Sequence, residues 1–392
     1  MTELMMSNET ATIQTPRRAL HVYGSLSRGG AETWLMDVMR NSSRRMLQLD
    51  VCLTKDVVGP YEEEFKELGG RILRCPLRKG PVQFAGQLMN LLKSERYDIV
   101  HSHLYYFSGV VLRCAALSNV PQRVAHIHPV IDARKKSFVR RLYTYWMHRW
   151  ICRYGTHFVG PTRASLEGFW GRDWESDSAR SVLYNGVKTE RFKDDVNTEA
   201  VLRELDLPPQ AKIILNVGRY APHKRQSFLV DVAERLCRKR DDVYFLFIGD
   251  GDLRTDVEAK AEQASVKDRC RFVPGAPSID QYYLTADTFA FPSSNEGFGI
   301  AVAEAGAAGL PVVAQDIPGV DEAADSCRHI TLLPLDASPD TWVNHLEQYL
   351  EIGRMDGESR RDHLKDYPFS LESSIASLYS LYGLDPNDAR AF

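Results

Sequence analysis

The strongest constraint on the fold is a rhythm of short apolar runs and helical patterns that fills one half of the chain, breaks, and starts again. Ala19 to Tyr23 reads as a strand, followed by a glycine-containing turn and an amphipathic helix from about Ala31 to Met39. Leu49 to Leu53, Arg71 to Leu73, Ile99 to His101, Val124 to Ile127, His157 to Gly160 and Ser181 to Leu183 continue the series. Strands alternating with helices imply a parallel sheet covered on both faces. After Asn185–Gly186 the run KTERFKDDVNTEA is polar and suits a linker. The alternation then resumes at Ile213 to Val217, Tyr244 to Ile248, Cys270 to Val273, Thr288 to Phe291 and Val312 to Ala314. The expected organisation is a disordered tail at 1–17, an α/β domain at 18–187 and a second at 188–368. A helical stretch at 369–385 either completes the second domain or crosses back to the first. Ligands of open parallel sheets bind beyond the carboxyl ends of the strands, so two such sheets facing each other make a cleft suited to two substrates.

Composition narrows the class. A chain of 392 residues is long enough for two domains. Its net charge of -3 gives no footing for a nucleic-acid partner. Cysteines at 52, 75, 114, 152, 237, 270 and 327 are odd in number and unpaired in spacing, which suggests neither a disulfide framework nor a zinc knuckle. They read as reduced thiols of a cytoplasmic protein. The N-terminal residues lack the apolar core of a signal peptide, and no run of about 18 apolar residues occurs.

The most informative motif runs from Phe291 through Pro292, Ser293, Ser294, Asn295, Glu296, Gly297, Phe298, Gly299 and on to Glu304. A strand ends near Pro292 and an alanine-rich helix begins near Gly299. Glycines let backbone approach a ligand closely, and a helix N-terminus offers unpaired N–H groups to a diphosphate. Glu304 falls inside the helix amid Ala and Val, where an ionisable group is costly without a hydrogen-bonding partner. A second motif, Asn216-Val-Gly-Arg-Tyr-Ala-Pro-His-Lys, follows the first strand of the second half. Arg219 and Lys224 there suit the negative charge that builds on a departing nucleoside diphosphate.

The Glu296-to-Glu304 stretch resembles the Glu-x7-Glu signature of the retaining glycosyltransferases of family 4, in their polysaccharide-biosynthesis type. These have the GT-B fold, two Rossmann-like α/β domains with parallel sheets facing across a cleft. The resemblance runs from about Ala19 to Tyr382 and is densest between Asn216 and Ala323. It implies that Glu296 contacts the hydroxyls of the donor sugar and that Glu304 accepts hydrogen bonds from the ribose. The backbone of Gly297, Phe298 and Gly299 would face the diphosphate, and Arg219 and Lys224 would stabilise it as it leaves. Ser27-Arg-Gly-Gly-Ala-Glu resembles the family's Gly-Gly loop, placing Gly30 near the donor phosphates. It lacks the spacing of a dinucleotide fingerprint. Phe247-Ile-Gly-Asp-Gly-Asp resembles the family's strand-to-loop segment, in which the glycines carry the match. Asp250 and Asp252 are therefore not read as a metal site, and metal-independent transfer with no required cofactor is expected. Arg271-Phe-Val-Pro-Gly resembles the segment that meets the base, which points to Val273. Gly306 departs from the family, which commonly has a larger apolar residue there, and loosened local packing is expected.

Ala125-His-Ile-His-Pro resembles a segment ending in a cleft histidine, and the strand end selects His128 over His126. Its implied role is to orient the reacting sugar or the acceptor. His101 and His103, after Asp98-Ile-Val, are not read as a shared metal site. Residues 133–153 hold seven Lys/Arg and no acid, interleaved with Phe138, Val139, Leu142, Trp146 and Trp150. Such a helix suits peripheral contact with an anionic membrane, or packs on its sheet with a solvated basic face.

The expected function is transfer of a hexose or N-acetylhexosamine, with retention, from a nucleoside-diphosphate sugar to a saccharide or lipid-linked acceptor. UDP is favoured over GDP on base rate. Rival readings are a GT-B-fold epimerase or hydrolase acting on a nucleotide sugar, a non-catalytic nucleotide-sugar-binding partner and, last, a nicotinamide oxidoreductase.

Overall fold

A computed structural model describes residues 15–27, 29–128, 137–275 and 278–387. Residues 1–14 of the expected tail at 1–17, and residues 133–136 of the basic segment, lie outside the described residues, while Arg17 already belongs to the first strand. Packing divides the chain into two compact units. One comprises Met1–Ala125, Arg141–His157 and Leu378–Phe392, the other His126–Arg140 and Phe158–Ser377.

Seven strands form the first sheet: β1 (Arg17–Tyr23), β2 (Leu47–Leu53), β3 (Ile72–Arg74), β4 (Ile99–Ser102), β5 (Gln122–His126), β6 (His157–Gly160) and β7 (Arg180–Val182), in the order β3-β2-β1-β4-β5-β6-β7. Six form the second: β8 (Lys212–Val217), β9 (Val243–Ile248), β10 (Cys270–Val273), β11 (Thr288–Phe291), β12 (Val312–Gln315) and β13 (Ile330–Leu333), in the order β10-β9-β8-β11-β12-β13. The described pairings are parallel, with Thr288 opposite Ile214 and Phe289 opposite Leu215. These strands are short apolar runs because both of their faces are covered. Phe245, Phe289 and Phe291 are at most 1% exposed. Each sheet reverses direction once, between β1 and β4 and between β8 and β11. Loops leaving neighbouring strands diverge at such a point and open a crevice at the carboxyl ends.

The structure adds three features to the sequence reading. Strand β13, unread in the sequence, pairs with β12 from Val312–Ile330 to Gln315–Leu333 and forms an edge of the sheet. The polar segment after Gly186 is folded: Thr189–Phe192 forms a 3-10 turn and Thr198–Glu204 a helix capped by Asn197. Phe192 is 2% exposed and meets the Tyr283 ring edge-on at 6.0 Å. Gly306 does not loosen its surroundings. A Cβ there would lie 2.7 Å from the Ser326 carbonyl oxygen, so the helix Ile300–Ala307 packs closer to that backbone than a side chain would permit.

The helix Leu371–Leu381 begins against Val187, whose N–H donates to Phe369 O and whose carbonyl accepts from Leu371 N, each at 2.8 Å. Toward its end, the Tyr379 hydroxyl accepts from Ser43 N at 3.2 Å. Tyr379 and Tyr382 are fully buried.

Truncating a buried aromatic forfeits both transfer free energy and packing. Phe192→Ala is expected to destabilise the protein by about 3–5 kcal/mol, measured by urea denaturation. A change within the range of exposed substitutions would show that this segment is a passive connection.

Candidate active site

The β8/β11 crevice assembles the strongest motifs. After β8 the chain passes through Gly218 and Arg219 into the 3-10 turn Pro222–Lys224. After β11 it runs through Ser294 to Glu296 and enters the helix Ile300–Ala307 by way of Gly299, in the left-handed region at φ 67°. The two loops are tied together: Ser294 N donates to His223 O at 2.7 Å. Asn216 Nδ2 donates to Ala290 O at 2.8 Å, joining the underlying strands.

Lys224 Nζ lies 2.6 Å from Glu296 Oε1, with side chains 18% and 13% exposed. The pair meets the distance of an ion contact, while Glu296 Oε1 finds no partner of hydrogen-bond geometry among the described residues. The Lys224 ammonium also sits over the Phe291 ring, 5.2 Å from its centroid. Arg219 is exposed and forms no ion pair among the described residues. His223 has its pKa lowered, first by desolvation and then by Lys224 and Arg219, with Glu296 opposing.

Glu304 lies inside the helix and is held there by Tyr283, whose hydroxyl donates to Oε2 at 2.9 Å. Tyr283 is fully buried, and its own pKa is driven well up by that burial and by the Glu304 charge. This tyrosine supplies the partner that a carboxylate among alanines requires.

Around Gly297 the backbone is crowded. A Cβ on Gly297 would lie 2.9 Å from His128 O, and one on Gly319 would lie 2.9 Å from Glu296 O and 2.8 Å from Gly297 O. The Gly297 carbonyl accepts from Thr162 Oγ1 at 3.1 Å. Thr162 is itself fixed as the cap of the helix Arg163–Trp170, accepting from Ser165 N. Phe298 turns away: it is 3% exposed and packs edge-on against Phe369 at 5.0 Å, which leaves its backbone to face a ligand.

His128 follows β5, half-buried, its ring stacked on His126 at 4.1 Å. Desolvation lowers its pKa to about 4. Val273 ends β10 and its carbonyl accepts from Gly249 N at 3.0 Å. Asp250 Oδ2 accepts from Gly275 N at 3.2 Å. Gly30 opens the helix Gly30–Asn41 behind the extended Gly29 and lies in the other compact unit, apart from these residues in packing.

The histidines after β4 correct the sequence reading. Side chains two apart in extended backbone share a face, so His101 in β4 and His103 just beyond it converge. His21, His101 and His103 bring ring nitrogens within 4.8 Å of one another. Hydrogen bonds occupy several of these nitrogens: His21 Nδ1 is 3.1 Å from His103 Nε2, and the Tyr382 hydroxyl is 2.9 Å from His21 Nε2 and 2.7 Å from His101 Nδ1. Desolvation lowers the His21 pKa to about 3.

Sequence reasoning missed Thr162, Tyr283 and Gly319 as supports of the donor loop. The Pro318–Gly319 dipeptide marks a turn. Thr162 and Tyr283 leave no local signal, because what matters about them is a neighbour 135 positions away for Thr162 and 21 positions away, in another helix, for Tyr283.

Two family models match this chain. One, described as a glycosyl transferase 4-like domain, covers residues 29–186, and the other, glycosyl transferases group 1, covers residues 197–367. The chain belongs to this family of GT-B glycosyltransferases and is an enzyme that transfers sugars. Among its relatives is the Bacillus subtilis (strain 168) glycosyltransferase EpsF, 25% identical, with 94% of this chain and 97% of that one covered. An Escherichia coli UDP-Gal:alpha-D-GlcNAc-diphosphoundecaprenol alpha-1,3-galactosyltransferase is 28% identical over 59% of this chain and 61% of its own. The crystal structure of Anabaena Alr3699/HepE in complex with UDP shares the fold, with a TM-score of 0.76 at 16% identity, covering 94% of this chain and 100% of that one.

The His128 shift has a definite sign. The unfolded chain takes up a proton near pH 6.5, whereas the folded state holds the ring neutral down to about pH 4. The stability it contributes is present above pH 6.5 and is lost as the pH falls through that window. The melting-temperature difference between wild type and His128→Asn should therefore change between pH 7 and pH 4. A difference independent of pH would mean that His128 titrates as in the unfolded chain.

Proposed function

We propose that this enzyme transfers a hexose or N-acetylhexosamine, with retention of configuration, from a UDP-sugar to a saccharide or lipid-linked acceptor in cell-surface polysaccharide or glycolipid biosynthesis. The observation that carries the reading is the Lys224–Glu296 pair, set in the β8/β11 crevice before the helix entered through Gly299. A carboxylate suits sugar hydroxyls, while an ammonium and a helix N-terminus suit a diphosphate. The UDP of the HepE structure and the UDP-Gal named in the Escherichia coli relative favour uridine as the base. The diphosphoundecaprenol in that relative's name favours a lipid-linked acceptor.

In this mechanism the bond between the anomeric carbon and the diphosphate oxygen breaks as the acceptor oxygen bonds to the same face of that carbon. The acceptor proton passes to the departing phosphate oxygen, so no strong protein base takes part. Lys224 and Arg219 stabilise the charge that develops on the diphosphate. Glu296 orients the sugar, Glu304 holds the ribose and Val273 lies at the base. His128, held neutral, offers a hydrogen bond to the sugar or acceptor. The loop of Gly30 is assigned to the donor phosphates from its resemblance to the family's Gly-Gly loop. These cationic groups provide charge stabilisation without a chelated metal.

Thermal shift against UDP, GDP, ADP and NAD tests the donor: a rise with UDP alone is expected, and a rise with NAD alone would overturn the reading. With an acceptor in hand, Glu296→Ala should abolish transfer while keeping most of the UDP-induced shift, whereas Arg219→Ala should weaken both. Transfer by Glu296→Ala at the wild-type rate would refute the donor-site assignment. An inverted anomeric signal in the product's NMR spectrum would refute retention.

A further inference from the structure

The helix Phe138–Tyr154 presents an unusual surface to solvent. It buries Met147 and Ile151. Its outward face shows Phe138 at 79% exposure, Val139 at 75%, Leu142 at 50%, Tyr145 at 56% and Trp146 at 49%. At about 100° per residue these five share one arc of roughly 120° with Arg149 and Arg153. Large exposed apolar residues are ordinary when scattered singly, but a contiguous aromatic patch marks a contact surface.

Charge selects what the contact is with. The helix carries Arg140, Arg141, Arg149 and Arg153 and no aspartate or glutamate. Arg149 lies 6.0 Å from the Tyr145 ring centroid, so aromatic and cationic groups are interleaved on the same face. A second copy of this chain would set arginine against arginine with no carboxylate between them. A solvated basic face alone would not expose Phe138, Leu142 and Trp146. Tyrosine and tryptophan rings suit the boundary between headgroups and acyl chains, and guanidinium groups suit phosphate.

We infer that this outward face docks the enzyme on an anionic lipid bilayer, with Phe138, Leu142 and Trp146 entering the headgroup layer and Arg149 and Arg153 on lipid phosphates. The inference goes beyond the donor reading and stands without it. No described helix is long and apolar enough to cross a membrane, so the attachment is peripheral.

The test is co-sedimentation of the full-length enzyme with phosphatidylcholine vesicles with and without phosphatidylglycerol. Wild type should partition onto the anionic vesicles and leave them at high salt, which screens surface charge. Leu142→Glu with Trp146→Glu, and separately Arg149→Glu with Arg153→Glu, should each reduce that partition by about tenfold or more. Melting temperature and the UDP-induced shift should be unchanged in both, because these side chains are exposed and remote in sequence from the donor motifs. Failure of wild type to bind anionic vesicles, or wild-type partition by both double variants, would overturn the inference. So would a lipid-free dimer that Leu142→Glu with Trp146→Glu separates. Loss of the UDP shift in wild type would count against the donor reading and leave the docking result standing.

Discussion

Strands β8 and β11 are adjacent although β9 and β10 lie between them in sequence, and the chemistry of the site depends on that adjacency. It brings together a loop carrying a cation and a loop carrying a carboxylate, which sequence order alone would keep apart. Their side chains retain little exposure, so Lys224 and Glu296 pair at a cost in desolvation that their attraction offsets. Removing either partner would leave the other charge half-dry and uncompensated. The same contact therefore fixes the two groups in one geometry, so that on the donor reading little reorganisation is left for the moment of binding.

Glycine does its work in this site by proximity more than by flexibility. Gly297 lies under the His128 carbonyl, and Gly319 lies under the carbonyls of Glu296 and Gly297. The donor loop is thereby pressed between two stretches of main chain, with Thr162 fastening it from the side. A methyl group at either glycine would displace the backbone that carries Glu296, even though neither residue has a functional group. Gly306 follows the same logic one turn further along, where the helix meets Ser326.

Most of the strands were legible because a covered parallel strand must be a short apolar run, and turn residues bound each one. Strand β13 escaped because it sits at the sheet edge and Ile330, Thr331 and Leu332 are only half-buried, so its sequence carries less of that signal. The strand-to-loop settings of Arg219, Lys224 and Glu296, and the place of Glu304 inside a helix, were legible from residue type and order. What holds them was not: Tyr283 under Glu304, Thr162 on Gly297 and the burial of Phe192 are long-range matches between residues unremarkable in their own segments. The convergence of His101 and His103 was legible in the sequence, since a strand period of two puts residues two apart on one face, but the sequence reading did not bring them together.

Tyr379 and Tyr382 lie near the end of the chain, yet Leu378–Phe392 belongs to the same compact unit as Met1–Ala125. The Tyr382 hydroxyl bridges His21 and His101 at the centre of the first sheet, and Gln122 donates to the Leu381 carbonyl. On the ribosome the first unit therefore emerges with part of its core missing. After Arg141–His157 it waits through the synthesis of some 220 residues, from position 158 to position 377, before the segment that fills the gap appears. N-terminal units ordinarily fold first during synthesis. Here the order of completion is reversed, and a chain that stopped at position 380 would lack Tyr382 and the hydrogen bonds it makes to His21 and His101.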